Sequence, residues 1–309
     1  MKEEKIATRQ SFGEELAILG EINKNIVVLD ADLAGATKTD IFGKKFPERF
    51  FDMGIAEQDM ISTAAGFATC GKIPYAASFA AFTAGRAYDQ IRSSVCYPKL
   101  NVKICGTHAG VTVGEDGATH QMLEDLSLMR GLPNMTVICP SDDIQTRWAV
   151  NEISKFEGPC YLRLCRAGTP VIYDGGTKFE IGKAVQHGNG TKATVFATGV
   201  VVSEALKAKE ELEKEGIEIR VIDVHTIKPI DKEIIIKCAK ETEKLISIED
   251  HSIIGGLGTA ISEVLTEKYP VKLIRMGMKD TFGKSGKAMQ LLEYFGLVSK
   301  NIIEEVKKI

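Results

Sequence analysis

Short apolar, β-branched runs alternate regularly with longer segments of helical spacing, and this alternation constrains the fold more than any other feature. The strand-like runs of the first half lie at 25–30, 101–107, 135–142 and 160–165, and the helical segments at 57–69, 82–96, 121–130 and 142–156. Runs that are apolar on both faces and separated by helices are typical of buried parallel strands. The pattern predicts an α/β fold with mostly parallel sheets.

A polar, glycine-rich stretch at 173–192 interrupts the alternation, which then resumes to the end of the chain. The later strand-like runs are "ATVFATG", "IRVIDV", "KLISIED" and "VKLIRMG", with helical segments at 201–215, 231–241, 257–268 and 287–296. A length of 309 residues suits two domains. We therefore expect two consecutive α/β domains, residues 1–172 and 191–309, joined by a linker at 173–190.

Composition excludes several classes of protein. The net charge of -3 gives no basic footprint for nucleic acid. No apolar run approaches the roughly 20 residues of a membrane span, and the N-terminus "MKEEKIATRQ" lacks the apolar region of a signal peptide. The seven cysteines show no C-x-x-C spacing, which predicts reduced core thiols. We expect a soluble cytoplasmic protein without nucleic-acid or membrane partners.

Glu57 opens the segment "EQDMISTAAGFAT", whose apolar residues recur at helical spacing and predict a buried helix. A first-turn glutamate can simply complement the helix dipole, an effect of about 0.3 to 1 kcal/mol. In an apolar setting a carboxyl group can instead hold or share a proton near neutral pH. The residues alone leave both interpretations open.

The loop "CGTHAGVTVGEDGATHQ" (105–121) follows a predicted strand and contains His108 and His120, two of the five histidines in the chain. Ligands bind at strand ends in open α/β sheets, so the loop is either a binding loop or a solvated surface loop. The separation of the two histidines fits no common zinc pattern, and we expect no metal bound by this chain.

Several other residues allow both a structural and a binding interpretation. Phe79 and Phe82, one helical turn apart, are either core residues or a flat wall for a heteroaromatic ring. Arg9 precedes a predicted helix and Arg166 ends a strand; both are solvated charges or, with the two histidines, contacts for a phosphorylated substrate. "IIGGLGT" (253–259) lacks the full dinucleotide fingerprint and predicts a strand-to-helix turn.

These pieces, taken in order, resemble the second half of transketolases over essentially the whole chain. The stretches that carry the resemblance are "IATRQSFGEEL", "VLDADLAGAT", "GIAEQDM", "SFAAFTAGRAYDQIR", "GTHAGVTVGEDGATHQ", "PSD" and "IKPID…EDHSIIGGLG". The chain looks like the C-terminal subunit of a split transketolase, with a pyrimidine-binding domain and a C-terminal domain.

The resemblance implies thiamine diphosphate as cofactor. Glu57 matches the catalytic glutamate that hydrogen-bonds N1′ of the aminopyrimidine and stabilises its imino tautomer, whose 4′-imine removes the thiazolium C2 proton. Phe79 and Phe82 match the aromatic residues that hold the pyrimidine ring. Asp32 and Ile55 fall near the cofactor, Asp32 also near a dimer interface.

The implied reaction moves a two-carbon ketol unit from a ketose phosphate to an aldose phosphate, as in the pentose phosphate pathway. His108, Asp116 and His120 fall on the sugar-contacting loop, where the histidines would also assist proton transfer. Arg9 and Arg166 match the arginines that bind the substrate phosphate.

The sequence departs from the family pattern in several places. Ala36 stands where many members have a phosphate-binding serine, so either Thr37 or Lys38 would substitute or the phosphate contact would be weaker. Gly85 stands where some members have an aromatic residue, and the spacing from Phe82 to Arg86 differs by one, so Arg86 receives no substrate role.

The GDG motif and downstream asparagine that hold Mg²⁺ and the diphosphate are absent from the sequence. The resemblance therefore implies an N-terminal partner subunit that holds Mg²⁺. Homodimerisation within a heterotetramer, with two copies of each subunit, would place the sites at interfaces.

Three competing interpretations are weaker. The β subunit of a 2-oxoacid dehydrogenase shares "GIAEQ" but usually lacks a "GEDGATHQ" loop of this form. A deoxyxylulose phosphate synthase shares stretches like "GRAYDQ" and "DGATHQ" but is normally one long chain. A non-catalytic binding protein of this fold would be expected to lose Glu57 or His120, and both are present.

Overall fold

The computed structural model describes residues 4–242 and 244–308, and their strands form two larger sheets and one strand pair. The first sheet contains Thr226–Lys228, Thr136–Ile138, Cys160–Arg163, Lys103–Thr107, Ile73–Phe79, Ile26–Asp30 and Phe50–Asp52, in that order. The second contains Leu273–Met278, Leu245–Ser252, Thr194–Ala197, Arg220–Asp223 and Val185–His187. Only Thr226–Lys228 and Val185–His187, both at sheet edges, pair antiparallel within these sheets as described. The predicted α/β fold with mostly parallel sheets is confirmed.

Helices cover both sheets. They comprise Thr8–Ile22, Ala34–Thr37, Asp40–Lys45, Glu57–Thr69, Asp125–Gly131, Asp143–Lys155, Val202–Lys214, Lys232–Glu241, Leu257–Lys268, Ala288–Tyr294 and Ser299–Lys307. The strand pair joins Lys5–Ala7 to Gly168–Pro170. No helix in the described part of the chain is both long enough and apolar enough to cross a membrane.

The segment predicted as one regular helix at 82–96 is wound differently. Ala81–Arg86 and Ile91–Cys96 are π-helical, with Tyr88–Gln90 between them. The amide of Ala87 accordingly donates to the carbonyl of Phe82, five residues back, at 3.2 Å. Such wide turns often occur at functional sites, because the extra residue re-aims the neighbouring side chains.

The sequence pattern missed one central strand, Ile73–Phe79, which lies between Ile26–Asp30 and Lys103–Thr107. Its sequence "IPYAASF" contains a proline and three small residues, and these are weak strand formers. The strand is buried between its neighbours, so tertiary packing overrides the local preference.

Residues from the two halves of the chain pack against each other. Thr226–Lys228 lies beyond the predicted linker yet completes the edge of the first sheet, and one apolar cluster includes residues of both halves. The buried carboxylate of Asp223 accepts hydrogen bonds from Ser141 and Tyr173, both at 2.7 Å, and so fixes the start of the linker. The domain limits given above stay a prediction.

All seven cysteines are free, and six of them are buried. Cys70 is exposed, contrary to the expectation of a core thiol, because it caps the end of helix Glu57–Thr69 at the surface.

Candidate active site

The candidate site lies at the carboxyl ends of neighbouring parallel strands. Phe79 ends one strand, His108 follows the next, and Glu57 follows the edge strand Phe50–Asp52 after a short turn. Strand ends of open α/β sheets are where ligands bind, so the fold gathers these side chains at an edge suited to binding.

Glu57 is the first residue of helix Glu57–Thr69 and its side chain is only 2% exposed. Met60, Ile61 and Ala64 pack the same helix into the core. Both carboxylate oxygens of Glu57 accept hydrogen bonds from Nη1 of Arg86, each at 2.8 Å. Arg86 is 48% exposed, so the buried acid is held by a side chain that reaches solvent.

Phe79 and Phe82 form a parallel pair beside Glu57. Their ring centroids lie 5.8 Å apart and their planes differ by 10°. The guanidinium carbon of Arg86 lies 4.5 Å from the centroid of Phe82. The planar guanidinium group of Arg86 therefore lies over the Phe82 ring while it donates hydrogen bonds to Glu57. An aminopyrimidine ring would need these same two contacts, so the residues present fit it.

His108 is buried and its ring stacks on Phe79, with centroids 3.7 Å apart. Nη1 of Arg9 donates to Nε2 of His108 at 3.2 Å, so Nδ1 carries the proton and donates to Oγ1 of Thr107 at 2.9 Å. Burial, followed by the charges of Arg9, Arg166 and His120, lowers the pKa of His108 to about 3. The imidazole is neutral, with one tautomer fixed by its partners.

The backbone of His108 is also unusual. Its φ of 56° lies in the left-handed region, which costs free energy for a residue with a side chain. Such strain persists at sites where the surrounding structure fixes a side chain for a function.

His120 also contacts the aromatic pair. Its ring meets Phe79 and Phe82 edge-on, with centroid distances of 6.2 and 5.6 Å. Nδ1 of His120 lies 2.9 Å from Oγ1 of Thr119. The structure thus brings together the predicted acid, aromatic residues and histidines.

The two predicted arginines adjoin this group. Arg9 lies within the first turn of helix Thr8–Ile22 rather than before the helix as predicted, and its Nη1 donates to the carbonyl of Ala36 at 2.7 Å. Nη1 of Arg166 donates to the carbonyl of Val113 at 2.7 Å and lies 3.4 Å from Oδ2 of Asp116. Burial, then the charge of Arg166, lowers the pKa of Arg9, as expected for two like charges that share one site.

Buried Nε of Arg9 has no hydrogen-bond partner within residues 4–242 and 244–308. An orphaned buried donor calls for a partner that is not part of the chain. With Arg166 nearby, the chemistry of this donor set suits an anionic group.

Asp32 and Ile55 follow the neighbouring strands at the same edge of the sheet, and both are exposed. The amide of Asp32 donates to Oδ1 of Asp52 at 3.0 Å, and the backbone φ of Asp32 is 61°. The Ile55 side chain is 76% exposed, which is unusual for a large apolar residue. Their assignment to the cofactor stays a prediction.

The turn at 253–259 is a strand-to-helix connection, as expected. The amides of Leu257 and Gly258 at the start of helix Leu257–Lys268 donate to the carboxylate of Glu249 at 2.6 and 2.9 Å. The chain's own acid therefore fills this helix terminus. In the part of the chain that the structure describes, no group of three or more His, Cys, Asp or Glu is arranged to hold a metal ion.

Sequence reasoning missed the contact between Arg86 and Glu57 and the role of Thr107. Arg86 lies four residues after Phe82, a spacing that places both on one helix face and was the available signal. The partner of Arg86, 29 positions away, becomes visible only in three dimensions.

Comparison with known proteins gives the same picture over the whole chain. Residues 4–171 match the transketolase pyrimidine-binding domain family, and residues 182–302 match the transketolase C-terminal domain family. A protein of Methanocaldococcus jannaschii named as a transketolase C-terminal section is 51% identical over 307 residues, covering 97% of this chain and 96% of that protein.

Other relatives are longer or differ in named substrate. A 6-deoxy-6-sulfo-D-fructose transketolase subunit of Clostridium sp. (strain MSTE9) is 42% identical and covers 97% of this chain and 94% of that protein. The transketolase of Rattus norvegicus is 40% identical, and this chain spans 49% of its length.

A solved structure described as a split gene transketolase, an inactive β4 tetramer, is 49% identical, with a TM-score of 0.91 and 98% of each chain covered. The two family matches together span most of the chain, and one relative has nearly the same length. The chain therefore belongs to the transketolase family.

Proposed function

We propose that this chain is the C-terminal subunit of a heteromeric, thiamine diphosphate-dependent transketolase of the cytoplasm. The enzyme would move a two-carbon ketol unit from a ketose phosphate to an aldose phosphate, as in the pentose phosphate pathway. One observation carries the proposal: a buried carboxylate, Glu57, lies beside a parallel aromatic pair and two histidines at one strand-end edge.

Thiamine diphosphate, when bound, supplies the carbanion chemistry that breaks and forms the carbon–carbon bonds. Glu57 would hold the proton shared with N1′ of the aminopyrimidine, and Phe79 and Phe82 would hold the ring. Both oxygens of Glu57 are bonded to Arg86 in the free chain, so Glu57 must exchange at least one of these bonds for the ring nitrogen. The exposure of Arg86 allows that exchange.

The sugar side of the site would use the histidine loop. His108 stays neutral at physiological pH, and its Nε2 accepts from Arg9, so it would bind a substrate hydroxyl by exchanging that hydrogen bond for one from the hydroxyl. Asp116 and His120 would bind further hydroxyls and hold protons at the reacting oxygen atoms. Arg9 and Arg166 would bind the anionic end of the substrate.

Phosphate is the first candidate for the anionic group of the substrate. A sulfonate is the second candidate, because one relative at 42% identity is named a 6-deoxy-6-sulfo-D-fructose transketolase subunit. Guanidinium groups bind both anions by the same contacts, so donor sugars with either group belong in the assay.

An N-terminal partner subunit would supply the Mg²⁺ and diphosphate site. This chain has no GDG motif, and its described residues contain no cluster that could hold a metal. The relative described as inactive in a β4 tetramer supports the same requirement. We propose a heterotetramer in which two copies of this chain contact each other and two partner subunits.

The test is reconstitution. The chain is assayed with thiamine diphosphate, Mg²⁺, xylulose 5-phosphate and ribose 5-phosphate, alone and with an N-terminal transketolase subunit from the same source. We expect ketol transfer only by the mixture. Transfer by the chain alone would refute the partner requirement, and oxidative decarboxylation of pyruvate without ketol transfer would favour a 2-oxoacid dehydrogenase subunit. Replacing the donor by 6-deoxy-6-sulfofructose separates the two anion classes.

A further inference from the structure

The sugar loop, defined as residues 107–121, carries His108, Asp116 and His120 and belongs to the first half of the chain. The second half forms hydrogen bonds with it at two points. One contact comes from strand Leu245–Ser252 and the other from the segment 280–286, which follows strand Leu273–Met278. Neither segment contributes a residue to the proposed reaction.

The first contact is the carboxylate of Asp250, which is 2% exposed. Its Oδ1 accepts from the amide of Val111 at 2.9 Å. Its Oδ2 accepts from Oγ1 of Thr112 at 3.0 Å and from the amide of Thr112 at 3.4 Å. These bonds fix the helical turn Val111–Val113, which lies between His108 and Asp116.

The fit around Asp250 is close. Gly110 has a φ of 79°, and a Cβ at this position would lie 2.1 Å from Oδ2 of Asp250. The backbone carbonyl of Asp250 accepts from Nη2 of Arg163 at 2.8 Å, and Nε of Arg163 donates to Asp125 at 2.7 Å. The carboxylate is therefore anchored on its own strand and has little freedom to follow a displaced loop.

The second contact is at Gln121, next to His120. Its Nε2 donates to the carbonyl of Lys284 at 2.8 Å and to that of Val111 at 3.2 Å. A Cβ on Gly283 would lie 1.7 Å from Oε1 of Gln121, so the segment at 280–286 is matched to this side chain. The two contacts hold the sugar loop near both of its ends.

We propose that Asp250 is a positioning residue for the sugar-binding side of the site, and that the second half of the chain sets where Asp116 and His120 point. The inference rests on the proposed function. The hydrogen bonds of the Asp250 carboxylate go to Val111 and Thr112, whereas Glu57, Phe79 and Phe82 lie on other elements. Loss of Asp250 should therefore weaken sugar binding much more than cofactor binding.

Two variants test this. Asp250→Asn keeps the shape of the side chain but turns an amide toward the Thr112 donors, and Thr112→Val removes only the hydroxyl bond. In the reconstituted complex we expect the KM for xylulose 5-phosphate to rise about tenfold in Asp250→Asn, and less in Thr112→Val. The Kd for thiamine diphosphate, measured by calorimetry, should stay within about twofold. Amides of residues 107–121 should exchange with deuterium faster in both variants of the chain alone.

Asp223→Asn is the matched control, since Asp223 is an equally buried carboxylate that bonds the linker instead of the sugar loop. It should leave the KM and the exchange of the sugar loop unchanged. A folded Asp250→Asn chain with unaltered KM and exchange would overturn the inference, as would an equal change in Asp223→Asn. If the unaltered complex transfers no ketol unit, the proposed function fails, while the exchange measurement still decides whether Asp250 fixes the loop.

Discussion

Two buried glutamates have different partners: Glu57 is the first residue of helix Glu57–Thr69, and Glu249, on strand Leu245–Ser252, caps the start of helix Leu257–Lys268 with its carboxylate. Glu57 is bonded to the side chain of Arg86, which is 48% exposed. Glu249 is bonded to the backbone amides of Leu257 and Gly258, and its carboxylate lies 3.6 Å from Nδ1 of buried His251. The side chain of Arg86 can move away from Glu57, whereas the backbone amides of Leu257 and Gly258 are held in their helix and cannot move away from Glu249.

This difference shows how a proposed catalytic acid can be told from a structural one when both are buried. Burial raises the pKa of Glu249 to about 7, but its oxygens are occupied by the helix it caps and a ligand cannot reach them. Glu57 keeps an opening to solvent through Arg86 and lies beside a parallel aromatic pair. The exchangeability of the partner, more than burial, marks the functional site.

Replacing Glu57 should produce the largest effect. Glu57→Gln keeps the size of the side chain but cannot pass a proton, so ketol transfer by the reconstituted complex should fall roughly 10²- to 10⁴-fold in kcat. The free energy of unfolding should change by less than about 1 kcal/mol, because the lost ionic partner is half exposed. Steady-state kinetics and denaturant unfolding measure both. An unchanged kcat in Glu57→Gln would contradict the distinction between Glu57 and Glu249.

Glu249→Gln should show the reverse pattern. The amide leaves one of the two helix amides without an acceptor, so the free energy of unfolding should fall by about 1 to 3 kcal/mol. The kcat, measured well below the unfolding midpoint, should stay within about twofold because no reacting group is changed. Loss of kcat at full stability would show that Glu249 also takes part in the chemistry.

Arg86 tests whether the partner of Glu57 is exchangeable. Arg86→Gln removes the cation that competes for the carboxylate, so thiamine diphosphate should bind the complex about three- to tenfold more tightly. Calorimetric titration measures the Kd. Arg92→Gln, in the following π-helical segment Ile91–Cys96, is the control and should leave the Kd unchanged. Weaker binding in Arg86→Gln would mean that Arg86 contacts the bound cofactor instead of competing with it.

The last prediction concerns the pH dependence of stability, where no effect is expected at neutral pH. Because the folded-state pKa of His108 is about 3 and its ordinary value is 6.5, the unfolded chain binds more protons between these pH values. His108 therefore contributes stability that is complete above about pH 6.5 and is lost as the pH falls toward 3. His108→Gln should flatten this part of the stability profile, measured by denaturant unfolding. An unchanged slope would contradict a buried neutral His108.

Much of the fold and of the candidate site could be predicted from the sequence, and part of them could not. The helix Glu57–Thr69 begins and ends where its apolar spacing indicates, and the histidine loop follows its strand as expected. Those features depend on residues close together in the chain. The strand at 73–79 was missed because proline and small residues conceal it, and the irregular winding of 81–96 leaves no simple periodic signal.

Local sequence patterns do not show the hydrogen-bond partners of buried acids such as Glu57 and Asp250. Glu57 and Arg86 are 29 positions apart, and Asp250 and Val111 are 139 positions apart. "EDHSIIGGLG" was correctly expected to contain a turn, but the two acids before it point to different tasks, one capping a helix and one holding the sugar loop. Alternation along a strand sends neighbouring side chains to opposite faces, which is why adjacent residues differ in role.

The central claim is that Glu57 exchanges a proton with the aminopyrimidine ring. Deuterium exchange at the thiazolium C2 of thiamine diphosphate, bound to the reconstituted complex and followed by proton NMR after acid quenching, tests it without any sugar. We predict that Glu57→Gln slows this exchange by about 10²-fold or more while Glu249→Gln leaves it at the unaltered rate. Exchange in Glu57→Gln as fast as in the unaltered complex would contradict the account.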